Sequence, residues 1–187
     1  MWHPARVRDL LLLRHAQSTW NAEGRWQGQS DPPLSPLGEQ QVLAAAAALP
    51  RDLEAIVASD LERARRTAQA ASDALGLPVA IDPRLRERHG GPLEGLTAEQ
   101  LAERFPEYLA DRRNVPEGFE TDAMLEARVR PALEELEGRV LVVTHGGVIS
   151  AISAAYGHER WHPANTTGCW LRFGADGGPP AMQTWAP

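Results

Sequence analysis

Leu10-Leu11-Leu12-Leu13-Arg14-His15-Ala16-Gln17-Ser18-Thr19-Trp20-Asn21 is the stretch on which the reading of the fold turns. Four successive leucines, bounded by Asp9 and Arg14, show no alternation of apolar and polar residues. A short run of this kind fits a strand covered on both faces, as in a parallel sheet. It is too short for the apolar region of a signal peptide or for a membrane span. Arg14 and His15 then stand at the carboxyl end of that strand.

Outward from it, strands and helices alternate. Ser35-Pro36 reads as a helix start, with Ser as N-cap and Pro at the first helical position. Val42, Leu43, Ala46 and Leu49 give this helix its apolar face, and Pro50 ends it. A second strand covers Ala55-Ile56-Val57-Ala58. Ser59-Asp60-Leu61-Glu62 has the pattern of a capping box and opens a second helix, with Leu61, Ala64, Ala68, Ala71 and Leu75 at helical spacing and Gly76 as its stop. A third strand is expected around Val79–Ile81, and helices over about Ala98–Phe105 and Met124–Leu136. Arg139–Thr144 is the strongest strand of the second half, followed by Gly146-Gly147 and a helix over Val148–Tyr156. Cys169, Leu171 and Phe173 alternate with Trp170 and Arg172, the pattern of a half-exposed strand. The expectation is one α/β domain over residues 1–187, a three-layer sandwich with a mostly parallel central sheet and helices on both faces. Such sheets bind ligands beyond the carboxyl ends of their strands. Arg14-His15, the segment Ser59 to Arg63, and His145 each follow a strand, so one crevice is expected to receive all three.

The 187 residues suffice for one core. Apolar residues make up 43% and charged ones 24%, an ordinary globular balance, and the net charge of −6 argues against a general nucleic-acid binder. The single cysteine, Cys169, excludes an internal disulfide and reads as a small apolar strand residue. The absence of a signal-peptide pattern and of membrane-length apolar runs points to a cytoplasmic protein.

Each candidate site residue has an ordinary alternative. His15 at a strand end is a nucleophile or a hydrogen-bonded structural residue. Gly146-Gly147 after His145 lets backbone approach a ligand or makes a tight turn. Within the second helix, Arg66 points away from the apolar stripe, whereas Arg63 and Arg65 flank it. Arg63 lies in the first turn, where N–H groups and the helix dipole favour an anion, and is the better ligand; Arg65 is the alternative. Two arginines and two histidines suit a phosphoryl group, since guanidinium forks match its oxygens. Nearby cations lower the pKa of His15 and keep a lone pair available. Glu87 is a candidate to protonate the leaving oxygen, or else forms a surface ion pair with Arg84, Arg86 or Arg88. His158 and His162 are four apart, but Gly157 and Pro163 argue against a helix that would bring them onto one metal, and they are not read as metal ligands; His3 and His89 read as surface residues. Asn165-Thr166-Thr167 is a formal glycosylation sequon of no consequence in a cytoplasmic protein.

The stretch around Arg14-His15 resembles the nucleophile signature of the histidine phosphatase superfamily, the phosphoglycerate mutase-like proteins. Gly24-Arg25-Trp26-Gln27-Gly28, Asp31 and Leu34-Ser35-Pro36-Leu37-Gly38 continue the resemblance. So do Ser59-Asp60-Leu61-Glu62-Arg63-Ala64 with Thr67-Ala68, Leu85-Arg86-Glu87 with Leu93-Glu94-Gly95, and Thr144-His145-Gly146-Gly147, in family order over about residues 9–173. The resemblance implies His15 as nucleophile, Arg14, Arg63 and His145 as the phosphate pocket, and Glu87 as proton donor. It implies Asn21, Gln27, Gly28 and Gly146 as substrate contacts, favours Arg63 over Arg65, and implies no metal or organic cofactor; a homodimer is the family-style assembly. Ala16 stands where glycine is usual, and Gly118-Phe119-Glu120-Thr121 matches its block loosely.

The leading expectation is a phosphomonoesterase that hydrolyses a small phosphorylated metabolite through a phosphohistidine, with no nucleic-acid or membrane partner. Gln27 to Asp31, His145 to Ala151 and Trp170 are similar to the branch containing glucosyl-3-phosphoglycerate phosphatase. The covering segment, about residues 90–120, is short, and water is expected to reach His15 readily. The alternative is a cofactor-dependent mutase, because Arg112-Arg113 resembles the pair with which mutases hold an acidic substrate; the pair also reads as a solvated run. A non-catalytic phospholigand-binding module is the third hypothesis.

Overall fold

The computed structural model describes residues 8–187. Six strands, β1 (Arg8–Arg14), β2 (Ala55–Ala58), β3 (Val79–Ile81), β4 (Gly138–Thr144), β5 (Gly168–Phe173) and β6 (Ala181–Trp185), form one sheet in the order β3-β2-β4-β1-β5-β6. The β1–β4, β2–β4 and β2–β3 pairs are parallel, whereas β5 runs antiparallel to β1 and to β6. The helices are α1 (Thr19–Ala22), α2 (Pro36–Ala48), α3 (Glu62–Leu75), α4 (Ala98–Arg104), α5 (Pro106–Ala110), α6 (Asp122–Glu134) and α7 (Gly146–Ala155). Among the described residues no helix is long and apolar enough to cross a membrane. His3 lies outside the described residues.

The four leucines behave as a doubly covered strand should. Leu10 and Leu12 join Val140, Val142 and the buried faces of α6 and α7, through Leu125, Val129, Leu133, Ile149 and Ile152. Leu11 and Leu13 join Ile56, Leu141, Val143 and the Ala64-Ala68-Ala71 stripe of α3 on the other face. Each face of β1 therefore buries apolar area that water would otherwise cover, which is why polar residues are absent from its middle.

Three expectations need correction. Trp170 on β5 is only 5% exposed, because the α3 face of the sheet extends over it and Arg139 lies 4.8 Å from its ring centre; β5 is covered on both faces as far as Leu171, and of the two residues expected to face solvent only Arg172 is exposed. Leu43 is 69% exposed, and the buried stripe of α2 is Gly38, Val42, Ala45 and Ala46. Ser59 is not the cap of the second helix: α3 starts at Glu62, with Leu61 as an N-cap that makes no side-chain bond. Helices α1 and α5 and strand β6 have no counterpart in the expectations. Cys169 is buried on β5, where burial pushes its thiol up to about 12, so it stays inert.

Candidate active site

Strand register brings the site together. Arg14 is opposite Thr144 and Ala58 is opposite Val143, so β1, β2 and β4 end side by side. One residue further, His15 N–H donates to Thr144 O at 3.0 Å, and Ser59 N–H to Val143 O at 3.0 Å. His15, Ser59 and His145 thus leave the sheet together. The His15 and His145 rings are 5.1 Å apart, tilted by 58°.

The His15 ring is oriented by its own backbone neighbour: Nδ1 lies 2.7 Å from Ala16 O. A carbonyl can only accept, so Nδ1 carries the proton and Nε2 keeps its lone pair. Arg63 Nε–H donates to that Nε2 at 3.2 Å. Burial first, then the charges of Arg63 and Arg14, hold His15 well below the usual histidine range, so it is neutral near pH 7. Ala16 accommodates the site without positive φ and donates its N–H to Thr67 Oγ1 at 3.0 Å.

Arg63 is fully buried, the side chain that the first turn of α3 aims inward; Arg65 and Arg66 are exposed. Its Nη1 donates to Ser30 O at 2.7 Å and its Nη2 to Gly28 O at 2.8 Å. Burial lowers it to about 10, still cationic at neutral pH. Gly28 sits at φ +54°, and a Cβ there would overlap the Glu94 carboxylate. Glu94 in turn accepts from Gln29 N–H, Ser30 N–H, Ser30 Oγ and Gly90 N–H at 2.6–2.9 Å. One half-buried carboxylate therefore shapes the turn whose carbonyls hold Arg63.

Arg14 donates from Nη1 to Pro163 O at 2.8 Å, while its Nε is buried without a protein partner among the described residues and faces Gly146. His145, the N-cap of α7, places Nε2 2.9 Å from Ser59 Oγ; its Nδ1 is buried and, among the described residues, unpartnered. Burial, followed by the charge of Arg63, holds His145 well below the usual histidine range. Buried polar atoms without partners carry a desolvation cost, so the free Nε of Arg14 and Nδ1 of His145 are what a phosphoryl oxygen entering here would satisfy.

Among the described residues, Glu87 makes none of the ion pairs that would have explained it as a surface residue: Arg84 binds Asp82 and Glu135, Arg86 binds Asp60, and Arg88 binds Asp122. Its carboxylate accepts from Gly147 N–H at 3.0 Å and Arg88 N–H at 2.7 Å. A Cβ on Gly147 would overlap that carboxylate, so glycine there is what lets Glu87 reach α7.

From Gly147 a cavity of about 800 Å³ opens, walled by Trp26, Tyr108 and Phe119, four arginines (Arg88, Arg112, Arg113, Arg160), Asp122 and His162. Asp122 pairs with both Arg88 and Arg160, so positive charge is in excess. Arg112 lies 4.5 Å from the Tyr108 ring centre, and Arg113, its side chain 90% exposed, is tied to Asp111. At the expected substrate contacts Asn21 and Gln27 the side-chain oxygens are held within the loop: Asn21 Oδ1 accepts from Ser18 and Asn165, and Gln27 Oε1 accepts from Ser18 Oγ at 2.7 Å. His15 is 2% exposed, contrary to the expectation of free access for water.

Asn165, Arg128, Arg160 and His162 escape sequence reasoning as members of the site, whereas Ser59 stands in a segment already expected at the crevice, with its contact to His145 unforeseen. Asn165, legible only as part of a sequon, donates to His15 O at 2.9 Å. Arg128, Asn165 and Arg160 carry no local signal, because each acts on a segment distant in sequence.

Comparison with known proteins shows the family and the fold. A glucosyl-3-phosphoglycerate phosphatase of Mycolicibacterium vanbaalenii is 41% identical over 167 residues, 80% of this chain and 74% of that protein. A metal-independent phosphoserine phosphatase of Arabidopsis thaliana is 38% identical over 162 residues, 79% of this chain and 68% of that protein. The solved structure of a mycobacterial glucosyl-3-phosphoglycerate phosphatase complexed with VO3 superposes with a TM-score of 0.86 at 34% identity, covering 97% of this chain and 99% of the other. The profile of the histidine phosphatase superfamily, branch 1, matches residues 10–186, and the chain belongs to that family.

Proposed function

We propose that this protein is a metal-independent phosphomonoesterase that removes phosphate from a small metabolite whose leaving group is acidic and hydroxylated. The observation that carries the reading is the lone pair of His15 Nε2, freed by the Nδ1–H bond to Ala16 O and set beside the buried Arg63 and His145. Nε2 attacks phosphorus in line. The P–O bond to the leaving group breaks as the N–P bond forms, and the equatorial oxygens gain charge that Arg14, Arg63 and His145 stabilise. Glu87, at the boundary between this cage and the cavity, gives its proton to the departing alkoxide. It then takes a proton from the water that attacks the phosphohistidine, and inorganic phosphate leaves with His15 restored.

The cavity suits a leaving group that carries a carboxylate and hydroxyls: arginines for the anion, aromatic faces for a sugar or carbon chain. The similarity to phosphatases of glucosyl-3-phosphoglycerate and phosphoserine supports this class. Phosphate release over a panel holding these two esters, 3-phosphoglycerate and simple alkyl phosphates tests it. Higher kcat/KM for the carboxylated members is expected, and indifference to the carboxylate would overturn the assignment. Chelator is expected to leave the rate unchanged. Placement in the cytoplasm, and assembly as a homodimer, are further parts of the proposal; sedimentation of the purified protein tests the second.

Mutase chemistry is the second reading, favoured by Arg112 and Arg113 on the cavity wall and by the low exposure of His15. Supplied with 3-phosphoglycerate and a trace of 2,3-bisphosphoglycerate, a mutase interconverts the monophosphates with little free phosphate. Hydrolysis in that assay is the expected outcome.

A further inference from the structure

We infer that Arg128, on α6 and outside the phosphate cage, is a positioning residue for Glu87; the inference rests on the proposed role of Glu87 as general acid. All five N–H donors of Arg128 are engaged. Nη1 donates to Arg84 O at 2.7 Å and Arg86 O at 2.8 Å, and Nη2 to Glu87 O at 3.0 Å. Nε and Nη2 also donate to the Glu120 carboxylate at 2.6 and 2.8 Å. The carbonyl left over, Leu85 O, accepts from Thr144 Oγ1 at 2.8 Å, and Glu87 O also accepts from Gln29 Nε2 at 3.1 Å. Every carbonyl from Arg84 to Glu87 is thus held by a side chain, three of the four by one guanidinium.

This loop has little regular secondary structure to fix it. Pro83–Leu85 is a single 3-10 turn, and Glu87 lies in irregular backbone beyond it. Without external donors the loop's carbonyls have no ladder to join. Arg128 supplies that ladder, and its planar fork fixes direction as well as distance. Glu120, only 10% exposed on its side chain, also accepts from His89 N–H at 3.0 Å, so both flanks of Glu87 are tied to one ion pair. The ion pair belongs to the end of the covering segment, so the general acid is referenced to the cavity wall and to the sheet through Thr144.

The functional consequence concerns the leaving group and not the phosphate. Arg128 makes no hydrogen bond to His15, Arg14, Arg63 or His145. Lysine in its place keeps the positive charge, and with it the field at His145, but brings only three donors without the fork. Proton donation depends steeply on the placement of the donor atom, where about 1 Å can cost on the order of a hundredfold.

The test compares full-length wild type, Arg128→Lys and Glu87→Gln on an alkyl phosphate, whose alkoxide needs a proton, and on p-nitrophenyl phosphate, whose phenolate needs little. For Arg128→Lys the ratio of kcat on the alkyl ester to kcat on the nitrophenyl ester is expected to fall about 10–100-fold, with vanadate inhibition changed by less than about threefold. Equal loss on both esters, or no loss on either, overturns the positioning role. Should Arg128→Lys fail to fold, Glu120→Gln, which weakens one side of the grip, is expected to shift the ratio in the same direction by a smaller factor; an unchanged ratio again overturns it. If Glu87→Gln itself leaves the ratio unchanged, the general-acid reading fails. A shift with Glu87→Gln and none with the other variants condemns the inference about Arg128 alone.

Discussion

The two ends of the candidate site are built by different means. At the end proposed for the phosphate, His15, Ser59 and His145 each stand one residue past a strand, and parallel register sets them side by side. At the end proposed for the leaving group, Glu87, Arg88, Arg112 and Arg160 come from loops and turns, and Glu87, Arg88 and Arg160 are held by bonds among residues far apart in sequence. A sheet ladder is shared by every strand residue and is hard to shift locally. A loop held by a few guanidinium bonds can be re-aimed by a single substitution. The first arrangement suits a group common to all phosphomonoesters, and the second suits the part that differs from one substrate to the next.

The sharpest way to break this division is His15→Ala. No other side chain of the described cage offers a lone pair held beside Arg63, so turnover is expected to fall on the order of 10⁴-fold or more on every ester. Circular dichroism and melting temperature are expected to remain near wild type. Substantial activity in the folded variant would move the nucleophile elsewhere.

Glu87→Gln probes the boundary between the two ends. An alkyl ester is expected to lose about 10²–10⁴-fold, and p-nitrophenyl phosphate far less. The substituted amide keeps an oxygen to accept from Gly147 N–H, so the cage is left standing. If both esters lose equally, Glu87 belongs to the cage and the division at this residue is wrong.

The phosphate end also predicts how stability responds to acid. His15 and His145 are held below the usual histidine range by burial and then by neighbouring arginines, while in the unfolded chain they titrate near the ordinary value. Between the folded and unfolded values the unfolded chain binds more protons, so stability falls as pH falls below about 6.5, by about 1.4 kcal/mol per pH unit for each histidine. Carboxylates held low, such as Asp60 and Asp82, add their loss only in the more acid carboxylate range. Melting curves from pH 7 to pH 5 should therefore fall steadily. A flat or rising melting temperature over that interval would mean that one or both rings are protonated in the folded protein.

Legibility in the sequence follows the same division. The leucine run, the positions just after β1 and β4, and the inward side of α3 are readable because strand period and helix period are local signals. Helix geometry and the first-turn position favour Arg63 but leave Arg65 open, and the family resemblance decides between them. Ser59 misleads for a physical reason: its spacing to Glu62 fits a capping box, but its hydroxyl lies against His145, and the helix begins three residues later. Trp170 and Leu43 mislead because alternation and helical spacing do not say how far a neighbouring layer extends. Among the described residues strand β6 pairs only with β5, and it shows no buried alternation to betray it. Asn165, Arg128 and Arg160 are invisible because a hydrogen bond spanning 41 or 150 residues leaves no trace in a local pattern.

The smallest expected effect separates Arg112 from Arg113, which the sequence presents only as a pair. Arg112 lies over the Tyr108 ring on the cavity wall, where packing against an aromatic face restrains it. Arg113 is 90% exposed on its side chain and already neutralised by Asp111, a pair in high dielectric that water and salt screen. A substrate carboxylate entering the cavity finds in Arg112 a cation with no ion pair to break among the described residues, and in Arg113 one that must first leave its partner. Arg112→Ala is therefore expected to raise KM for a carboxylated phosphoester about tenfold, worth about 1.4 kcal/mol, with kcat and inhibition by vanadate nearly unchanged. Arg113→Ala is expected to change KM by less than about twofold, in keeping with an exposed pair. Steady-state kinetics of both variants on the carboxylated ester and on p-nitrophenyl phosphate decide the matter. A larger loss for Arg113 would mean that the covering segment turns over when substrate binds and brings the outer arginine inward. Equal losses on both esters would mean that the pair acts on the phosphate and not on the leaving group.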